Sequence, residues 1–171
     1  DKVDMQEVQR VWLGWINDAR AQEGLSPYRM ERQLIRTAWL WSDRARSLGT
    51  INHKRDGQSA YYDYKMVGNW FSSLGLDFKN VKGSTYTENI GWGMYRCKKD
   101  DCTGDMINAI RSTFDFFMSE KGKASAPHYN SIVNPSYASI GMGVTVDGSG
   151  KYYLTVHYAT QITSDPDPIC R

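Results

Sequence analysis

Imidazole and carboxylate side chains are the groups in this sequence best suited to proton transfer or metal ligation near neutral pH. The sequence has three histidines, His53, His128 and His157. His53 stands in "TINHKRDGQSAYYDYK" (50–65), a polar segment that turns around Asp56-Gly57. His128 opens "HYNSIVNPSYASIGMGV", which runs into a strand-like, glycine-punctuated tail. Both polar segments adjoin apolar elements, a placement that delivers side chains into clefts. His157, in the middle of "LTVHYA", is expected to be a structural hydrogen-bonding residue of a strand. Among the acids, Glu88 sits in "TENIGWG", where the neighbouring Ile90 and the glycines predict tight packing and require partners for a buried carboxylate. Glu120, in "FFMSEKG", falls at the expected end of a helix. Negative charge there opposes the helix dipole, which suggests a role other than capping, with a solvated helix-end residue as the alternative. Ser119, Ser125 and Ser131 lie nearby in sequence but form no specific nucleophile arrangement. These residues make a candidate cluster without yet defining a reaction.

The elements that must position them follow from periodicity and punctuation. Asp4 and Glu7 have capping-box spacing, and Val8, Trp12, Ile16 and Ala19 recur at helical intervals after them. "EGLSP" (23–27) breaks that helix. A second is expected over about 31–48, with Leu34, Ala38, Trp41, Ala45 and Leu48 along one face and Gly49 as its C-terminal stop. A short helix over 65–74 uses Met66, Trp70, Phe71 and Leu74, and a fourth over about 104–120 carries Ile107, Ile110, Phe114 and Phe117. "TYTENIGWGMY" (85–95) reads as partly extended. Strands over 138–146 and 151–159 flank "DGSG", a hairpin connection. Helices first and an antiparallel hairpin last give an α+β domain, with helices packed on a sheet.

Composition sets the outer bounds. A chain of 171 residues is expected to form one domain, here over 1–162, with 163–171 as a tail that leads into a longer chain. Apolar content of 40% and charged content of 23% are globular values. A net charge of +2 carries no field that points to nucleic acid. No apolar run approaches the ~20 residues of a membrane span, nor does the start resemble a signal peptide. Asp1 is not an initiator methionine, so a trimmed or mature form is expected. Cys97 and Cys102, in "CKKDDC", suit a local disulfide in an oxidising compartment, with a metal knuckle as the weaker option. Cys170 is left over, to pair elsewhere or stay free.

Several segments, in order, resemble the CAP superfamily: cysteine-rich secretory proteins, antigen 5 and pathogenesis-related proteins. "INDARAQEGLSPYRMERQLIRTAWLWSDRA" is similar to the family's opening two helices, "INHKRDG" to the segment of its first histidine, and "ENIGWG" to its Glu-Asn-Ile/Leu signature. "FMSEKGKASAPHYNSIVNPSYASIGMGV" resembles the helix end, second histidine and following strand, and "YYLTVHYA" the closing aromatic strand. The resemblance implies an α-β-α sandwich, with helices on both faces of a small, mainly antiparallel sheet. It makes His53 and His128 the two cleft histidines and Glu88 and Glu120 the two cleft glutamates. Departures are Phe117 for the family's usual Trp, Thr87 where Gly is common before the glutamate, and Val156-His157 where Gln-Asp or Gln-Asn is usual. The few cysteines are similar to those of bacterial or minimal members.

What the resemblance implies about function is a secreted or cell-surface binding module. Its cleft would take a divalent metal, zinc by preference, on His53 and His128, with Glu88 and Glu120 bound directly or through water. No organic cofactor is expected. The partner would be an extracellular lipid, peptide, protein or envelope component. The same four groups could instead serve a metal- or histidine-dependent hydrolase. A third possibility is an adhesion or host-interaction domain in which they are only a structural network.

Overall fold

The computed structural model describes residues 2–165, so Cys170 lies outside the described residues. Helix α1 (Met5–Gln22) starts where Asp4 accepts the Glu7 amide, the first half of the expected capping box. Its Val8, Trp12, Ile16 and Ala19 are buried. The two-residue strand β1 (Arg29–Met30) leads into α2 (Arg32–Leu48), which ends at Gly49 with φ 74°. Helix α3 (Tyr64–Ser73) is capped by Asp63, whose side chain accepts the Met66 amide. There follow strand β2 (Tyr86–Met94), helix α4 (Thr103–Met118), helix α5 (Pro127–Ile132) and the hairpin of β3 (Ser139–Val146) and β4 (Lys151–Ala159).

The sheet has the order β1-β3-β4-β2. β1 pairs parallel with β3, and the other pairings are antiparallel. Both faces of the hairpin are buried, so alternation here separates two cores and not core from solvent. Ile140, Met142, Val144, Leu154, Val156 and Tyr158 pack with Val8, Trp12 and Ile16 of α1 and Ile110, Phe114 and Phe117 of α4. On the other face, Leu34 of α2, Val67 and Phe71 of α3, and Ala159 form the second core. The result is the expected α+β sandwich.

The glycines of "SIGMGV" explain how close the α2 layer comes. A Cβ on Gly141 would fall 2.1 Å from the Leu34 carbonyl carbon, and one on Gly143 2.5 Å from the Trp39 amide nitrogen. Helix backbone therefore rests directly on strand backbone, a contact only glycine permits.

Two elements depart from the sequence reading. "PHYNSI", expected as a polar turn running into a strand, is helix α5. Proline in its first turn has a φ already suited to helix, and six residues are too few for a periodic signal. The segment expected to be only partly extended, around Glu88, is a continuous nine-residue strand. Residues assigned to the tail stay attached: Thr163 donates its amide to the Asp77 carbonyl, and Ser164 Oγ accepts the Asp77 amide.

Candidate functional site: a groove with two carboxylate-backed histidines

Glu88 is the centre of one half of the site. β2 pairs Glu88 with His157 of β4, which places both on the sheet face beneath α2 and α3. The Glu88 side chain has no exposed area, yet four hydrogen bonds reach its two oxygens. Arg55 clamps it through Nη1 to Oε1 (2.8 Å) and Nη2 to Oε2 (2.6 Å). His53 Nδ1 lies 2.8 Å from Oε1 and His157 Nε2 lies 2.6 Å from Oε2. Burial alone would push the carboxyl up. The Arg55, His157 and His53 hydrogen bonds and the Arg55 charge outweigh it and hold Glu88 well below the usual carboxylate range. The guanidinium is itself held between rings, 3.6 Å from the centroid of Trp41 and 4.5 Å from that of Trp70.

His157, completely buried, is pushed below the ordinary imidazole value by desolvation, against the opposing hydrogen bond and charge of Glu88. One carboxylate already balances one guanidinium, so a second buried cation would be uncompensated. The neutral ring donates from Nε2 to Glu88, and its Nδ1 accepts from Thr37 Oγ1 at 2.8 Å.

The second half has a different support. Glu120 stands at the end of α4 as expected, two residues past Met118, with its amide donating to the Phe117 carbonyl. Its Oε1 accepts the backbone amides of His128 (2.8 Å) and Tyr129 (3.1 Å), two of the otherwise unpaired donors in the first turn of α5. The negative charge that opposes one helix dipole thus complements the next. Oε2 contacts His128 Nδ1 at 2.5 Å, and the His128 ring stacks on Phe117, 4.3 Å between centroids and 4° between planes.

Because a carboxylate only accepts, Nδ1 of both His53 and His128 is the protonated nitrogen and Nε2 of the neutral ring carries the lone pair. Both histidines line one cavity of about 800 Å³. One wall is Ile51, His53, Tyr61 and Tyr62, and the other is Ser112, Thr113, Phe116, Pro127 and His128. Between them lies β2 from Thr87 to Trp92. Tyr61 and Tyr62 meet the His53 ring edge-on at 5.1 and 5.0 Å. Burial pushes the Tyr62 hydroxyl up to about 12, so it remains a neutral wall group.

The structure therefore brings His53 and His128 to one cavity and Glu88 to its wall, while Glu120 stands behind His128. Arg55 is the member of the network that sequence reasoning missed, while His157 is the structural hydrogen-bonding strand residue expected, here with Glu88 and Thr37 as its partners. Arg55 lies two residues after His53 in a segment that reads as solvated, and only the convergence of Trp41, Trp70 and Glu88 from other elements buries it. The signal for His157 is an ionisable residue inside an otherwise apolar strand. Cys97 and Cys102 are joined as a disulfide at the turn into α4.

As a metal site the donor set is narrow. Among the described residues, no group of three or more His, Cys, Asp or Glu side chains is arranged to hold a metal ion. Every Glu88 oxygen is engaged by nitrogen donors, and Glu120 by two amides and an imidazole. The ring nitrogens that no carboxylate engages are the two Nε2 atoms, the donors that a cation in the groove would have to use.

An α-β-α sandwich with a histidine-walled groove along one sheet edge is the class that fold and site define. The sequence profile of the cysteine-rich secretory protein (CAP) family matches residues 13–159, and the chain belongs to that family. Similar solved structures include an outer surface protein from Borrelia burgdorferi (13% identity, TM-score 0.64, covering 94% of this chain and 98% of that one). The CAP domain of enterococcal PrgA is 18% identical, with a TM-score of 0.62 over 94% of this chain and 65% of that one. An extracellular protein of Bacillus anthracis containing an SCP domain is 14% identical, with a TM-score of 0.60 over 91% of this chain but only 41% of its own length. A search of curated proteins returns no significant match.

Proposed function

We propose that this domain is an extracellular or surface-exposed binding module whose groove holds a divalent cation, zinc by preference, between His53 and His128. The observation that carries the reading is that the two histidines stand on opposite walls of one 800 Å³ cavity. Each has its Nδ1 engaged by a carboxylate. That pattern fixes the tautomer and leaves Nε2 as the ligating atom. Water or an organic ligand in the groove would complete the coordination. Exposure to the extracellular side is supported by the family, by the similarity to an outer surface protein of Borrelia and an extracellular protein of Bacillus, and by the Cys97–Cys102 disulfide. A hydrolase with a side-chain nucleophile is disfavoured because, among the described residues, neither histidine has a serine, threonine or cysteine side chain as a hydrogen-bond partner.

Zinc titration by calorimetry on the wild type and on the His53→Ala/His128→Ala double variant tests the reading. A saturable wild-type heat that the variant loses supports it. Equal binding by the two proteins, or none by the wild type, removes the metal site.

A further inference from the structure

β2 is the edge strand of the sheet, and its unpaired edge forms the floor of the groove. The ladder fixes which residues face out. Thr160 donates its amide to the Thr85 carbonyl, and Tyr95 donates to Gly150, so with the antiparallel register the odd-numbered residues of β2 bond to β4. The amides and carbonyls of Glu88, Ile90 and Trp92 therefore point away from β4, toward the groove. None of them has a hydrogen-bond partner among the described residues. The side chains of Glu88 and Ile90 are packed into the sheet, and these residues border the groove with a backbone edge that no other element pairs. Backbone groups of a strand that no neighbouring strand pairs are a template for a further strand. Nearby, Asn89 donates through Nδ2 to Ser131 Oγ, while its buried Oδ1 also lacks a partner.

Edge strands are normally protected by lysine, proline, a bulge or a covering element. From Glu88 to Trp92 this edge has none of these. It is flanked instead by two walls that belong to opposite faces of the sheet. The exposed rings of Tyr61, Trp92 and Phe116 border it.

Resting on the reading of this cavity as a ligand groove, we infer that its ligand class is an extended peptide, which adds a strand to β2. The Glu88–Trp92 edge is about 14 Å long at ~3.4 Å per residue, enough for four or five peptide residues. The peptide's own amides and carbonyls complement the alternating donors and acceptors of Glu88, Ile90 and Trp92, as in other strand-addition complexes. Its side chains alternate between the His53–Tyr62 wall and the Phe116–His128 wall. Glu88 is the ionised group of the lining and is neutralised by Arg55, so uncharged, apolar or aromatic side chains suit both walls.

The test uses a random heptapeptide library on the metal-free protein, in the presence of a chelator, so that it is independent of zinc binding. Selected peptides are resynthesised with N-methyl groups on alternate amides. The expected result is that methylation of one parity weakens binding by about tenfold or more while the other parity is tolerated, since only one set of amides faces β2. Hydrogen exchange at Ile90 and Trp92 should slow in the complex. Trp92→Pro, which deletes an edge donor without touching the β4 ladder, should weaken binding well beyond Trp92→Ala. The exchange measurement on wild type decides the matter if the proline variant does not fold. Failure to select any peptide, indifference to both methylation parities, or unchanged exchange at Ile90 and Trp92 overturns the inference. A sedimenting dimer that excludes peptide assigns the edge to a second copy of the chain and overturns it too. Zinc binding that persists alongside such failure leaves the metal reading intact.

Discussion

Removal of the Arg55 guanidinium should be among the most damaging single changes to this protein away from its packed cores. In Arg55→Met the aliphatic volume between Trp41 and Trp70 is largely kept, while both bonds to Glu88 and the bond to the His53 carbonyl are lost. A buried carboxylate stripped of its cation costs about 3–5 kcal/mol, and the Glu88 side chain, with no exposed area, belongs at the upper end. The pH dependence carries the distinctive sign. In the wild type, the folded-state depression of Glu88 contributes stability that is complete above its ordinary value of 4.5 and is lost as pH falls through the folded value. In the variant, burial dominates and pushes the carboxyl above its unfolded value. The folded variant then takes up a proton first and gains relative stability as pH falls, at up to about 1.4 kcal/mol per unit. Urea unfolding at pH 7.5 and at pH 4.5 should therefore show a large deficit that narrows on acidification. A deficit below about 1 kcal/mol at pH 7.5, the size of an exposed ion pair, or one that widens in acid, would refute the account of Glu88 as a buried, charge-paired group.

Two further outcomes follow from the same interior. Because burial depresses His157, whose surroundings are Glu88, Arg55, His53 and Thr37, the unfolded chain binds a proton below pH 6.5 that the folded chain does not. Stability should fall from there toward the folded value at up to about 1.4 kcal/mol per pH unit, and His157→Gln should flatten urea midpoints measured between pH 6.5 and 5. Gly141→Ala would drive a Cβ into the backbone of Leu34 and Ile35, atoms that move only with the whole of α2. A loss of about 2–3 kcal/mol, seen as a Tm lowered by about 5–10 °C, is expected, and an unchanged Tm would contradict the close helix–strand contact.

The layers of the fold were legible because α1, α2 and α4 carry helical periodicity and α1 and α2 have recognisable ends, while the hairpin announces itself through "DGSG". The four principal site residues were legible as candidates from type and local setting, and as one cleft only through the resemblance. Nothing in the spacing of His53, Glu88, Glu120 and His128 places them together; β2 and α5 do. α5 was hidden because its start is fixed from outside, by the Glu120 carboxylate on the His128 and Tyr129 amides. Arg55 was hidden for a similar reason. Its partners arrive from α2, α3 and β2, and a short-range reading of "HKRDG" assigns every one of its charges to solvent.

The two histidines rest on supports that differ in kind, and this bears on how the groove can respond to an occupant. His128 is tied through Glu120 to the first turn of α5 and stacked on Phe117 of α4, a local arrangement within one layer. His53 is tied through Glu88 to β2, the same strand whose opposite backbone edge forms the groove floor. A single residue, Glu88, thus offers its amide and carbonyl to the groove and its carboxylate to the buried Arg55–His157 network. A strand added to β2 would be held by a backbone that the carboxylate already fixes at four hydrogen bonds, so little ordering of the floor is required on binding. The network's position behind the edge strand thus ties the groove floor to α2, α3 and β4, alongside the close packing of Gly91 on Thr113 and Gly93 on the Tyr152 ring.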